Sequence, residues 1–289
     1  MSILLNKQTR VLVQGITGSA GKVQTRWMLE YGTNIVAGVT PGKGGSTVES
    51  VPVFDSVHAA VQVTGAEASI FFVPPPFVMD AFFETVAAEI KIIVVVPEHV
   101  PVHDVMAMRR HAQMNNVIAL GPTTPGILTP GEAKAGIMPA SLFSPGRVGV
   151  ISRSGTLAHE TGAILREANI GQSTVVGLGA DPVVLTNLEE ILLLFEKDED
   201  TDAVIIIGEV GGIQEEKAAE LISRGFNKPV AAYIAGRYAP EGKKMGHAGA
   251  IARGSEGTAQ SKCEALHAAG VEILETPIKM LDWAKKHSL

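Results

Sequence analysis

Short, continuously apolar runs rich in β-branched residues recur through the first part of the chain, at 10–14, 34–39, 68–73, 90–96 and 117–120. Helix-length segments separate most of them, and that alternation predicts a parallel sheet. Because hydrophobicity within each run is continuous rather than alternating, both sheet faces should be covered by helices, as in a doubly wound fold.

From 121 to 145 the texture changes to Gly, Pro and Thr, as in GPTTPGILTPGEAKAGIMPASLFSP, which is poor material for a regular element. The junction between two domains is placed there, giving 1–125, a linker at 126–146, and 147–289. A second strand–helix series follows, with strands expected at 147–152, 173–178, 203–207, 229–234 and a short one at 272–274. No fixed-period repeat relates the two halves.

Bulk composition agrees with two globular domains: 289 residues, 46% of them hydrophobic and 19% charged, can bury sizeable cores. The formal charge of -6, with scattered Lys and Arg, offers no basic field for nucleic acid. A single cysteine, Cys263, cannot form an internal disulfide, no Cys/His spacing suits zinc, and a reducing cytoplasmic or matrix location is expected. Apolar runs such as 92–96 are too short to span a bilayer.

The first candidate chemistry lies at 11–21, VLVQGITGSAG, where a strand should run through glycines into a helix. Free amides and the helix dipole at such a junction favour a phosphate. The spacing GxxGxxG differs from the GxGxxG dinucleotide fingerprint, and the next strand ends in Thr40–Pro41–Gly42–Lys43–Gly44–Gly45 rather than in an acidic residue that would grip a ribose diol. Lys43 suits an additional phosphate and disfavours an NAD dehydrogenase. A tight turn with a solvated lysine is the plain alternative. Val73–Pro74 and Val96–Pro97–Glu98 follow further strands where a crevice would open, and either line an adenine slot or simply end their strands.

The second is Gly246–His247–Ala248–Gly249–Ala250, a Gly-rich loop after Lys243 and Lys244 that leaves the imidazole approachable. A nucleophilic histidine needs its other nitrogen held by an acceptor, and Glu209, after the strand at 203–207, is the candidate. Ser154, Gly155 and Thr156, at another strand end entering a helix, supply hydroxyls and amides for an anion. A structural loop histidine is the alternative for His247. His58, His99, His103, His111, His267 and His287 have no such surroundings, and Cys263 reads as a packed helix residue.

Taken together and in order, QGITG, TPGKGG, SRSGT, IGEVGG and GHAGA resemble the α subunit of the succinyl-CoA synthetase (succinate–CoA ligase) family across nearly the whole chain. The resemblance implies an α/β protein with an N-terminal Rossmann-like CoA-binding domain and a C-terminal flavodoxin-like doubly wound domain bearing a phosphohistidine loop. It implies a nucleoside-diphosphate-forming acid–thiol ligase: an ATP-grasp β subunit with Mg²⁺ and ATP or GTP phosphorylates His247, an acyl phosphate follows, and CoA displaces phosphate. By matching positions, Thr17, Gly18, Ser19, Ala20, Lys43 and Val96 to Glu98 would hold CoA, while Ser154, Gly155 and Thr156 would hold the phosphate.

The chain departs from the family pattern where a tyrosine associated with the acid becomes His159, at Gly179–Ala180–Asp181–Pro182, and at Gly121–Pro122–Thr123–Thr124–Pro125–Gly126. These changes suggest a paralogue for another carboxylic acid, such as a malate- or citrate-type ligase subunit, with His159 either a substrate ligand or an exposed helix residue. A CoA-binding regulatory paralogue that has lost catalysis is the rival reading, and retention of His247 and Glu209 argues against it.

Overall fold

The structure, a computed structural model, describes residues 2–240, 245–251 and 257–289. Lys243 and Lys244, which precede the histidine motif, lie outside the described residues. No helix among the described residues is long and apolar enough to cross a membrane.

The N-terminal half is built from β1 (Val11–Gln14), α1 (Ser19–Tyr31), β2 (Ile35–Val39), β3 (Thr47–Val48), β4 (Val51–Phe54) and α2 (Val57–Thr64). It continues with β5 (Ala68–Phe71), α3 (Val78–Ala87), β6 (Ile92–Val95), α4 (Val102–Met114) and β7 (Ile118–Leu120). The sheet order is β3-β4-β2-β1-β5-β6-β7, parallel except for the β3–β4 hairpin. Continuous apolar runs have the predicted consequence: Val11 and Val13 enter one core, whereas Leu12 enters the other with Phe71 and Phe82. Helices therefore cover both faces. The chain leaves β1 to β2 on one side and later returns to β5 on the other, so a crevice opens at the carboxyl ends of β1 and β5.

The second half comprises β8 (Gly126–Thr129), β9 (Ala133–Gly136), β10 (Pro145–Ser152), α5 (Gly155–Glu167), β11 (Gln172–Gly177), α6 (Leu188–Lys197) and β12 (Ala203–Glu209). α7 (Gln214–Ser223), β13 (Val230–Ala235), α8 (Ala259–Ala268), β14 (Glu272–Ile273) and α9 (Met280–Lys286) complete it. Strands run in the order β14-β13-β12-β10-β11-β8-β9, parallel from β14 to β11. Val204 and Ile206 face one core and Ile205 and Ile207 the other. Here the switch in strand order falls between β10 and its neighbours β11 and β12.

The expectation of an irregular linker at 126–146 is corrected. β8 and β9 form a hairpin that pairs antiparallel with β11 and extends the second sheet. Glycine is what makes it possible: a Cβ on Gly126 would stand 2.1 Å from the Ala135 carbonyl oxygen, so only glycine lets the two backbones close. The short β3–β4 hairpin was likewise not expected from the sequence.

Candidate functional site

Loops at the carboxyl edge of the first sheet carry most residues singled out in the N-terminal half. Gly15, with φ of +72°, turns the chain beside β5, where a Cβ would lie 2.6 Å from the Phe72 carbonyl oxygen. α1 then begins at Ser19, with Gly18 as its N-cap and neither a capping side chain nor an acidic residue in the first turn. Its leading amides are thus available to an anion. Thr17 Oγ1 donates to Thr40 Oγ1 at 3.2 Å, tying this loop to the one after β2. Lys43 sits in that second loop, exposed and off the cavity described next.

Between the two sheets lies a cavity of about 570 Å³. Ala20, Val73, Val96, Pro97 and Glu98 line it from the first half, and Gly155, Thr156, His159 and His247 from the second. Thr123, Thr124 and Pro125 floor it where the chain crosses between halves. Thr17, Gly18, Ser19 and Pro74 stand on the same carboxyl edge but outside the lining. Residues from both halves therefore meet at one place, even though 227 positions separate Ala20 from His247.

On the ligase side, β12 ends in Glu209, which is buried, and His247 Nδ1 lies 2.6 Å from its Oε2. This hydrogen bond holds a proton on His247 to higher pH than usual, against the desolvation of a half-buried ring. The Arg153 charge opposes protonation, while Glu209 and Glu98 favour it. The histidine loop is anchored by Gly249 N–H to Ala180 O at 3.0 Å and by Met245 N–H to Ala250 O at 3.0 Å.

β10 ends in Ser152 and the chain turns through Arg153 into α5. Ser154 is the N-cap, its hydroxyl accepting from Leu157 N–H at 3.3 Å, so that oxygen already serves the helix. Gly155 and Thr156 face the cavity at the positive end of the helix. His159, one turn on, is half-buried; its Nε2 is buried without a hydrogen-bond partner, and burial pushes its pKa down. No group of three or more His, Cys, Asp or Glu among the described residues could hold a metal ion.

Sequence reasoning missed what stands behind Glu209. Arg153 is buried and paired with Glu215, and Glu215 in turn with Lys262, both fully buried. Arg153 lies inside SRSGT, but Glu215 and Lys262 fall in polar helical stretches that read as solvated faces.

Two domains that meet at one cavity, one matching a CoA-binding family and the other a CoA-ligase family and carrying a histidine–carboxylate pair, define a subunit of an acid–CoA ligase. Residues 6–99 match the CoA binding domain family and residues 151–272 the CoA-ligase family. The chain belongs to the family of succinate–CoA ligase α subunits. The ADP-forming subunit alpha of Aquifex aeolicus is 50% identical over 282 residues, 97% of this chain and 92% of its own length. Subunit alpha 2 of Archaeoglobus fulgidus is 51% identical over 282 residues, 98% of either chain. Among solved structures, ATP citrate lyase from Methanothrix soehngenii superposes with a TM-score of 0.88 at 24% identity, covering 99% of this chain and 51% of that one. That likeness shows the fold alone, and this chain spans about half of that longer protein.

Proposed function

We propose that His247 carries a phosphoryl group between a nucleotide held by a β subunit and a small carboxylic acid, which this chain then presents to CoA. The observation that carries the reading is the 2.6 Å contact of His247 Nδ1 with Glu209 Oε2 at the cavity that the N-terminal loops also line.

Each residue has a task in this reading. Glu209 accepts Nδ1–H, which leaves the Nε2 lone pair free to attack phosphorus. Gly155 and Thr156, with the N-terminus of α5 behind them and Ser154 capping it, offer amides and a hydroxyl to the transferred group. Thr17, Gly18, Ser19 and Ala20 receive CoA phosphate at the uncapped start of α1, and Lys43 reaches a further phosphate from its exposed turn. Val73, Pro74, Val96, Pro97 and Glu98 border the adenine. When bound, CoA supplies the thiol that displaces phosphate from the activated acid. The nucleotide, ATP or GTP with Mg²⁺, belongs to an ATP-grasp β subunit, in an αβ pair or a dimer of pairs in a reducing cytoplasm.

Relatives are named for succinate. His159 takes the acid in this chain: it lines the cavity with Gly155, Thr156 and His247, and its buried Nε2 has no hydrogen-bond partner in the protein. The acid is accordingly a small di- or tricarboxylate with one carboxylate at His159 and the other at the phosphoryl group. Acyl-CoA formation by the αβ complex, screened over such acids with CoA and ATP or GTP, tests the proposal. Product from one acid, lost in His247→Ala, supports it; turnover that survives His247→Ala overturns it.

A further inference from the structure

The Arg153 side chain, 3% exposed, is turned inward from the end of β10. Its Nη1 donates to the carbonyl oxygens of Glu209 at 3.1 Å and Gly211 at 2.9 Å, and to Glu215 Oε1 at 3.0 Å. Its Nη2 stands 3.5 Å from Glu209 Oε1, the oxygen that His247 does not use and that has no hydrogen-bond partner. Glu215, also paired with Lys262, accepts the Glu209 N–H at 3.2 Å. Lys262 Nζ continues to Gly212 O at 2.9 Å and to Glu216 Oε2 at 3.0 Å.

Alternating charges thus run inward from His247 through Glu209, Arg153, Glu215 and Lys262 to Glu216. Replacing buried ion pairs by well-packed apolar side chains is often neutral or stabilising, so holding the fold together does not account for this chain of charges. What the network does is local. It fixes the amide of Glu209 and the carbonyls of Glu209, Gly211 and Gly212, the strand end from which the carboxylate projects. Arg153 is also bonded directly to Ser154, the cap of the phosphate cradle.

We propose that Arg153, braced by Glu215 and Lys262, is a positioning residue for the phosphoryl transfer: it holds the Glu209 carboxylate so that Oε2 meets His247 Nδ1, and keeps that pair in register with the phosphate cradle. The proposal rests on the reading of His247 as the phosphoryl carrier. A planar fork is needed because Nη1 serves two carbonyls and Glu215 while Nη2 faces the Glu209 carboxylate. Without it, Glu209 can rotate about its side chain, and Nδ1 loses a fixed acceptor.

The test compares wild type, Arg153→Met, Arg153→Lys and Lys262→Met in the αβ complex. Three quantities are measured: single-turnover labelling of His247 from γ-labelled ATP, the His247 ring ¹⁵N shifts against pH, and CoA binding. In Arg153→Met, CoA binding is retained, labelling slows about 10–100-fold as for other orienting partners, and the Nε2–H tautomer gains population. The pH midpoint of His247 falls, since the Glu209 hydrogen bond, the largest cause of its rise, is weakened and this outweighs the loss of the smaller opposing Arg153 charge. Arg153→Lys keeps the charge without the fork and gives an intermediate rate; Lys262→Met shifts the tautomer less. An Arg153→Met complex with wild-type tautomer, midpoint and labelling rate overturns the proposal. If that variant does not assemble, wild-type behaviour of Arg153→Lys does so instead. A wild type that takes no phosphoryl group yet shows the Nδ1–H tautomer, lost in the Arg153 variants, would sink the carrier reading while leaving the positioning role standing.

Discussion

Gly211 seats the histidine loop: a Cβ there would stand 2.0 Å from the Gly249 carbonyl oxygen, and its φ of +91° is one that other residues adopt at a cost. The loop after β12 and the loop bearing His247 are thus packed backbone against backbone. Gly211→Ala is expected to cost about 1–3 kcal/mol and to lift the loop off Glu209. Thermal melting and His247 labelling both fall, while CoA binding, 6–99 being untouched, stays as in wild type.

A raised His247 pKa carries a pH dependence whose sign follows directly. Nucleophilic attack needs the neutral imidazole, so labelling should rise with pH through a midpoint above the ordinary value of about 6.5. The Glu209 contact to the charged ring stabilises the fold below the unfolded-state pKa, and that contribution is lost as pH rises through the higher folded value. Glu209→Gln removes the main cause of the shift. Its midpoint moves down and its rate drops about 10–100-fold, measured by pH-dependent labelling and ring NMR.

Gly15 separates the two halves of the chemistry. Alanine there meets the Phe72 carbonyl oxygen at 2.6 Å with φ at +72°, which is expected to cost about 1–3 kcal/mol and to distort the entry to α1. CoA affinity falls by equilibrium binding, whereas labelling of His247 from nucleotide proceeds.

How far the chain could be read without coordinates depended on what each stretch advertised. The strand at 11–14 is buried along its whole length and is followed by glycines, so both its burial and the turn from it into a helix are legible. His247 and Glu209 can be paired from the sequence because an approachable histidine in a Gly-rich loop needs an acceptor, and Glu209 sits at a strand end in a Gly-rich stretch of the same domain. The hairpin at 126–136 escaped because Pro125, Gly126 and Gly136 looked like breakers, whereas glycine is what lets those backbones approach. Glu215 and Lys262 escaped for a different reason. Each lies on a helix among other polar residues, and only tertiary packing turns them inward.

At His159 the expected effect is on the acid alone. Losing one hydrogen bond to a carboxylate costs about 1.5–3 kcal/mol, so His159→Ala should raise the KM for the acid and leave CoA binding and His247 labelling unchanged. Steady-state kinetics with each substrate varied in turn decide it. An unchanged acid KM would return His159 to an ordinary residue in the first turns of α5.

The β8–β9 hairpin belongs by its pairing to the second sheet, yet its main chain is read by the first half. Thr33 Oγ1 donates to Lys134 O at 2.8 Å and accepts from Lys134 N–H at 3.0 Å, and Tyr31 Oη accepts from Gly131 N–H at 2.8 Å. Thr129 Oγ1 reaches back to Leu5 O at 2.6 Å. A stretch that looks like a tether is therefore a strut, and a cut after residue 125 would not release two independent modules. One short piece of backbone thus serves two masters, sharing its edge with β11 and its amides and carbonyls with Tyr31 and Thr33, so damage to it would be felt on both sides of the cavity at once.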